Sequence, residues 1–162
     1  IKKQINKTRY LMNIKKTGEQ VGELYDQLTS EFGQTRKFLD SRFSPSELTY
    51  SRYLKSAEEA LLATVQHLHD SSVLLESLDR ISDKEAQSQA ATQPEILTLR
   101  KKQFEQVDQQ VSESQKALQV LRELNAGLAA LSPTALLTET SLDQSIEQLK
   151  MLAERTHKYE RN

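Results

Sequence analysis

Residues 104–128, FEQVDQQVSESQKALQVLRELNAGL, place Phe104, Val107, Val111, Leu118, Leu121 and Leu128 at steps of three, four and seven. That spacing matches the α-helical repeat and puts all six on one stripe, so the segment is a helix with one apolar seam to bury. Upstream, Leu54, Leu61, Leu68 and Leu75 recur every seven residues, a second seam of the same kind. A third follows Ile14, Val21, Tyr25, Leu28, Phe32 and Leu39, with Gly18 and Thr35 at two further core positions; a fourth follows Leu142, Ile146, Leu149 and Ala153. Helices with single seams pack on one another. The fold class is all-α: an antiparallel up-down bundle of three long helices and a shorter fourth, with coiled-coil-like packing.

Composition agrees. The 162 residues suffice for one domain and are few for two. Four glycines and three prolines leave little material for turns, which favours few, long elements. The expected helices span 3–39, 45–81, 94–131 and 141–159, all in a single helical-bundle domain of residues 1–162. In Phe43-Ser44-Pro45-Ser46-Glu47-Leu48, Ser44 reads as an N-cap, Pro45 as the first helical residue and Glu47 as the capping-box acid, with Phe43 and Leu48 at staple spacing. Residues 82–93 read as an exposed polar connection. Thr92, Pro94 and Glu95 start the third helix, Ser132-Pro133 ends it, and Ser141 with Gln144 repeats the capping pattern before the fourth. Gly18, Gly22 and Gly33 make the first helix the softest, and Gly18, on the seam, suits a close crossing by a neighbour. Asn125 has two readings: a buried residue that sets helix register, or a solvated residue at a frayed end.

Several function classes drop out. With no cysteine there is no disulfide, thiolate nucleophile or cysteine zinc site. No apolar run of membrane-spanning length and no secretory leader is visible. No Gly-rich phosphate loop or nucleophile-elbow motif is present. A di-metal carboxylate bundle needs two Glu-x-x-His pairs, and only Glu154-Arg155-Thr156-His157 exists. His67 and His69 lie about 200° apart on a helix and cannot share an ion; His67 is placed to pair with Asp70 at i+3. The reading is therefore non-enzymatic, with no cofactor and no metal.

Two surfaces stand out as candidates. Lys2, Lys3, Lys7, Arg9, Lys15 and Lys16 all precede the first acidic residue, Glu19; the other 16 of the 22 basic residues face 23 acidic ones, a net of about −7. Such a cluster suits an anionic membrane surface beside a membrane anchor, while the acidic remainder argues against nucleic acid. At the opposite end Arg36, Lys37, Arg42, Tyr50, Arg52 and Tyr53 gather around the first connection. Arg42, Tyr50, Arg52 and Tyr53 form a candidate partner surface, because arginine and tyrosine are favoured at binding hot spots. The alternative there is that the tyrosines simply close the bundle end.

The chain starts at Ile1 without an initiator methionine, and is read as a fragment of a longer one. The leading function is a helical interaction or scaffolding domain with a protein partner or self-association, extending to the cytoplasmic part of a membrane-anchored protein. A ligand-sensing bundle with a cavity near Thr35, Thr64 and Asn125 is the alternative, and a di-metal enzyme a remote one. The uncovered end beside the basic N-terminus, where the fourth helix falls short, is the first place to seek a partner.

Overall fold

Each seam needs a wall to bury against, and four helices supply the walls in a computed structural model of the chain. The structure describes the backbone of residues 2–87, 94–131 and 136–159, and the side chains of 9–81, 94–131 and 142–155. Among the described residues it is all-helical: α1 Lys2–Arg42, α2 Leu48–Gln87, α3 Pro94–Ala130 and α4 Leu136–Tyr159. At 1.5 Å per residue the first three are about 55–60 Å long and α4 about 36 Å.

The core joins all four. Ile14, Val21, Leu24, Leu28, Thr35 and Leu39 are buried on α1; Tyr53, Ala57, Ala60, Thr64, Leu68, Leu75 and Leu78 on α2; Val107, Val111, Leu118, Leu121, Leu124 and Leu128 on α3; Leu142, Ile146, Leu149 and Ala153 on α4. The α3 and α4 seams are as expected, apart from half-buried Phe104. On α1 the seam passes through Leu24, and Tyr25 is 46% exposed. Leu54 and Leu61 sit half-buried at the edge of the α2 stripe, whose centre is filled by small residues.

Successive helices are antiparallel, but they do not form a square ring. α1 packs on α2 and α3, α4 packs on α2 and α3, and α1 and α4 do not touch among the described residues. The α2/α3 pair is thus shared, with α1 on one side and α4 on the other. The α1–α3 contact is parallel: Glu31 meets Asn125, and farther along both helices Arg42 meets Ala129.

Four boundaries differ from expectation: α1 runs on to Arg42 instead of ending at residue 39, and three others shift. α2 starts at Leu48, because Glu47 N–H bonds the Ser44 carbonyl at 2.9 Å in a tight turn that holds Pro45 and Ser46 outside the helix. Ser44 N–H still donates to Glu47 Oε1 at 2.7 Å, the acidic half of the capping box. The staple does not form: Leu48 is 84% exposed, and Phe43 packs edge-on against Tyr53 at 6.0 Å instead. α2 also runs past Ile81 to Gln87 and α4 begins at Leu136 rather than 141. Neither added stretch contains glycine or proline, so nothing halts helix propagation there. The expectations for 88–93, Ser132-Pro133 and Thr134 lie outside the described residues.

Gly18 makes no close crossing, since a Cβ there would meet nothing within 4 Å. The close approach is at Gly127, where a Cβ would lie 2.7 Å from Leu142 Cδ2. It lets α4 settle onto α3.

Candidate functional site

The end of the bundle around the first connection is built by polar side chains that bind one another. Tyr53 is 2% exposed, and its hydroxyl donates to Asp143 Oδ1 of α4 at 2.9 Å. Arg52 pairs with the same carboxylate oxygen, and its guanidinium lies 5.2 Å from the Tyr53 ring centroid. Burial, reinforced by the Asp143 hydrogen bond, pushes the Tyr53 hydroxyl up to about 12. Tyr50 donates to Asp40 Oδ1 at 2.7 Å, and that bond raises its pKa above the usual tyrosine value. Arg42, in the last turn of α1, donates to the Ala129 carbonyl of α3 at 3.1 Å, satisfying an acceptor near that helix end. Arg36 and Lys37 are exposed. The candidate surface of Arg42, Tyr50, Arg52 and Tyr53 is therefore gathered in one place, and each member already has a partner within the chain.

The basic start is different. Arg9, Lys15 and Lys16 are exposed on α1, with Met12 67% exposed among them. The side chains of Lys2, Lys3 and Lys7 lie outside the described residues. Nearby, Tyr10 faces Phe104 at 6.3 Å and Arg100 at 5.7 Å, which ties α1 to α3 at this end.

His67 turns inward, 8% exposed, with Nδ1 3.8 Å from Glu113 Oε2 of α3. The expected pairing with Asp70 does not occur, because Gln66 at i+4 takes that carboxylate at 2.8 Å. One turn on, Ser71 donates to Gln110 Oε1 at 2.7 Å. Among the described residues no group of three or more His, Asp or Glu side chains is placed to hold a metal ion; the side chain of His157 lies outside them. No described helix is long and apolar enough to cross a membrane. The polar core positions Thr35, Thr64 and Asn125 all have partners: Thr35 donates to Asn125, Thr64 to the Ala60 carbonyl at 2.6 Å, and Asn125 to Glu31. A cleft of about 460 Å³ opens between α2 and α4, walled by Arg52, Lys55, Glu59, Lys150 and Glu154, a mixture of both charges.

The feature with no partner is a groove. α4 touches α2 near Arg52, Ser56 and Glu59, and α3 at Gly127. Leu142 against Gly127, Asp143 with Tyr53, and His67 beside Glu113 fix the register, which brings the end of α4, Tyr159, level with about Asp70 of α2 and Gln110 of α3. Beyond that the α2/α3 pair runs on for roughly 25 Å with α1 on one side and, among the described residues, nothing on the other. Heptad steps from the residues under α4 identify the walls beyond it: Ser56 leads through Ala63 and Asp70 to Ser77, and Gly127 leads through Val120 and Glu113 to Gln106 and Leu99. Leu74 and Ile81, at i+4 from Asp70 and Ser77, are half-buried, and Leu99 is 52% exposed. The unequal seam lengths point to this end in the sequence, but not to Leu74, Ile81 and Leu99 as residues along it. Which side of the α2/α3 pair α4 takes cannot be read from a linear pattern.

Comparison of the chain with protein-family models, with curated proteins and with solved structures finds no match in any of the three.

Proposed function

We propose that this chain is a non-enzymatic helical interaction domain that receives a partner helix in the groove between α2 and α3 beyond the end of α4. One observation carries the reading: α4 is 24 residues long against 40 for α2 and 37 for α3, so the α2/α3 groove continues past its end with nothing over it among the described residues. Half-buried Leu74 and Ile81 and exposed Leu99 offer apolar anchors there, and helix-in-groove docking uses such anchors at i, i+3, i+4 and i+7. The test is selection of amphipathic helical peptides on the purified chain, followed by amide chemical-shift mapping. Binders should perturb residues 71–81 and 96–110 and be lost on Leu74→Asp. Failure to select any binder, or perturbation confined to another surface, overturns the reading.

A second reading rests on the exposed Arg9, Met12, Lys15 and Lys16, at the same end of the bundle. These residues suit contact with an anionic membrane surface, basic groups on the headgroups and Met12 at their boundary. Binding to phosphatidylserine vesicles at low salt, weakened by added salt and by joint reversal of Arg9, Lys15 and Lys16 to Glu, supports it. Binding indifferent to both, or absent, removes it.

A further inference from the structure

Leu97 and Leu99 are both exposed apolar residues near the start of α3, at 54% and 52%. Two residues apart on a helix, they stand about 200° around it, so only Leu99 borders the groove. Leu97 lies one heptad before Phe104, whose ring faces Tyr10 of α1, and so takes the α1 side. Met12, 67% exposed, stands on the outer surface of α1 just past Tyr10. Because α1 and α3 are parallel neighbours, residues far apart in the chain thus meet on one flank of this end.

Charge gathers on the same flank. Residues 2–16 of α1 carry six basic side chains and no acidic one, and residues 94–104 of α3 carry Arg100, Lys101 and Lys102 against Glu95. The pairs His67 with Glu113 and Ser71 with Gln110 set residues 79–87 of α2 at the same level, and there three acidic residues stand against two basic ones. Arg9 and Lys16 are exposed on α1, and Lys101 forms an exposed pair with Glu105 at 3.9 Å. So open an ion pair contributes little, and Lys101 can turn to another anion at small cost. Glu105 and Asp108 stand one and two turns farther from the end than Lys101.

We infer that the bundle meets an anionic bilayer with its α1/α3 flank, Leu97 and Met12 entering at the headgroup boundary and Arg9, Lys16 and Lys101 lying on the lipid phosphates around them. This contact rests on the membrane reading above and extends it by adding α3. Apolar side chains rimmed by cations match that interface, where acyl chains take the first and headgroup charge attracts the second. One helix alone would touch along a line; two parallel helices present a strip, which sets how the bundle lies on the surface.

The test uses the full chain, which contains no tryptophan, carrying Leu97→Trp or, as a control, Leu62→Trp at a residue 70% exposed on α2. On vesicles of phosphatidylserine and phosphatidylcholine, emission of Leu97→Trp should shift to the blue and be quenched by brominated acyl chains, while Leu62→Trp stays unchanged. Lys101→Gln should weaken vesicle binding about fivefold at low salt. Binding that leaves Leu97→Trp unmoved, or that is indifferent to Lys101→Gln, overturns the α3 contact while the membrane reading stands. Absence of vesicle binding by the unaltered chain removes that reading itself, and the α3 contact with it.

Discussion

Thr35 of α1 and Asn125 of α3 are joined by a buried hydrogen bond, the threonine hydroxyl donating to Asn125 Oδ1 at 2.7 Å. Asn125 Nδ2 in turn donates to the Glu31 carbonyl oxygen at 3.0 Å and to Glu31 Oε2 at 2.8 Å, and Arg122 Nε reaches Glu31 Oε1 at 3.3 Å. Asn125 therefore sits in a satisfied network, which answers the choice between a register-setting residue and a frayed one. Any axial slip of α1 against α3 would strand these groups in the core, so the network holds two parallel helices in one register.

Breaking it should be costly and coupled. Thr35→Val leaves Asn125 Oδ1 without its buried donor, and a loss of about 1–2 kcal/mol in urea unfolding is expected. Asn125→Ala should cost about 2–3 kcal/mol, since it also strips Glu31 of two donors. The double variant should cost clearly less than the sum of the two. Additive losses would mean that the residues act independently.

The glycines should separate by position. Gly127→Ala places a methyl 2.7 Å from Leu142 Cδ2, a residue 1% exposed, and should destabilise despite the better helix propensity of alanine. Gly18→Ala and Gly22→Ala meet nothing within 4 Å and should each add up to about 1 kcal/mol. Thermal unfolding of the three single variants checks the order, and a stabilised Gly127→Ala would contradict the close α3–α4 approach.

Alkaline titration should find Tyr53 late. Its folded pKa of about 12 lies above the ordinary tyrosine value of 10.0, so the fold favours the neutral hydroxyl. That contribution is complete below pH 10, where neither state ionises, and is lost as pH rises from 10 toward 12. The tyrosinate absorbance of the folded chain should include a late step that Tyr53→Phe deletes. Early ionisation of Tyr53 would break the account of the α2–α4 clamp through Asp143.

Neighbouring residues on α1 should respond very differently to truncation. Leu24 is 5% exposed and Tyr25 46% exposed. Leu24→Ala should cost about 2–4 kcal/mol, whereas Tyr25→Ala should change stability by about 0.5 kcal/mol or less. Comparable losses at the two sites would put the α1 seam back through Tyr25.

Periodicity alone located the fold class, the four helices, the α4 seam and the α3 seam apart from Val120 and Leu124, because an apolar seam is a local property of chain geometry. It placed the α1 seam one residue off between Val21 and Leu28, since Leu24 and Tyr25 are both compatible with a seam and only the neighbouring wall decides between them. Helix ends were legible only where a proline or a cap intervened. Residues 82–87 and 136–140 have no breaker, and their helical state depends on propagation from the packed segments.

The sequence by itself determined that this chain must bury four unequal amphipathic helices and that its basic charge collects at the start of α1. Only the tertiary structure decided the lateral arrangement, with α2 and α3 shared and α1 and α4 on opposite sides. That choice depends on contacts between residues far apart in the chain: Thr35 with Asn125, Tyr53 with Asp143, and Gly127 with Leu142. Side-chain spacing along one helix says which face is apolar, but not which neighbour covers it. The groove past α4, with Leu74 and Leu99 along it, emerges only when the two helices that carry them are brought side by side.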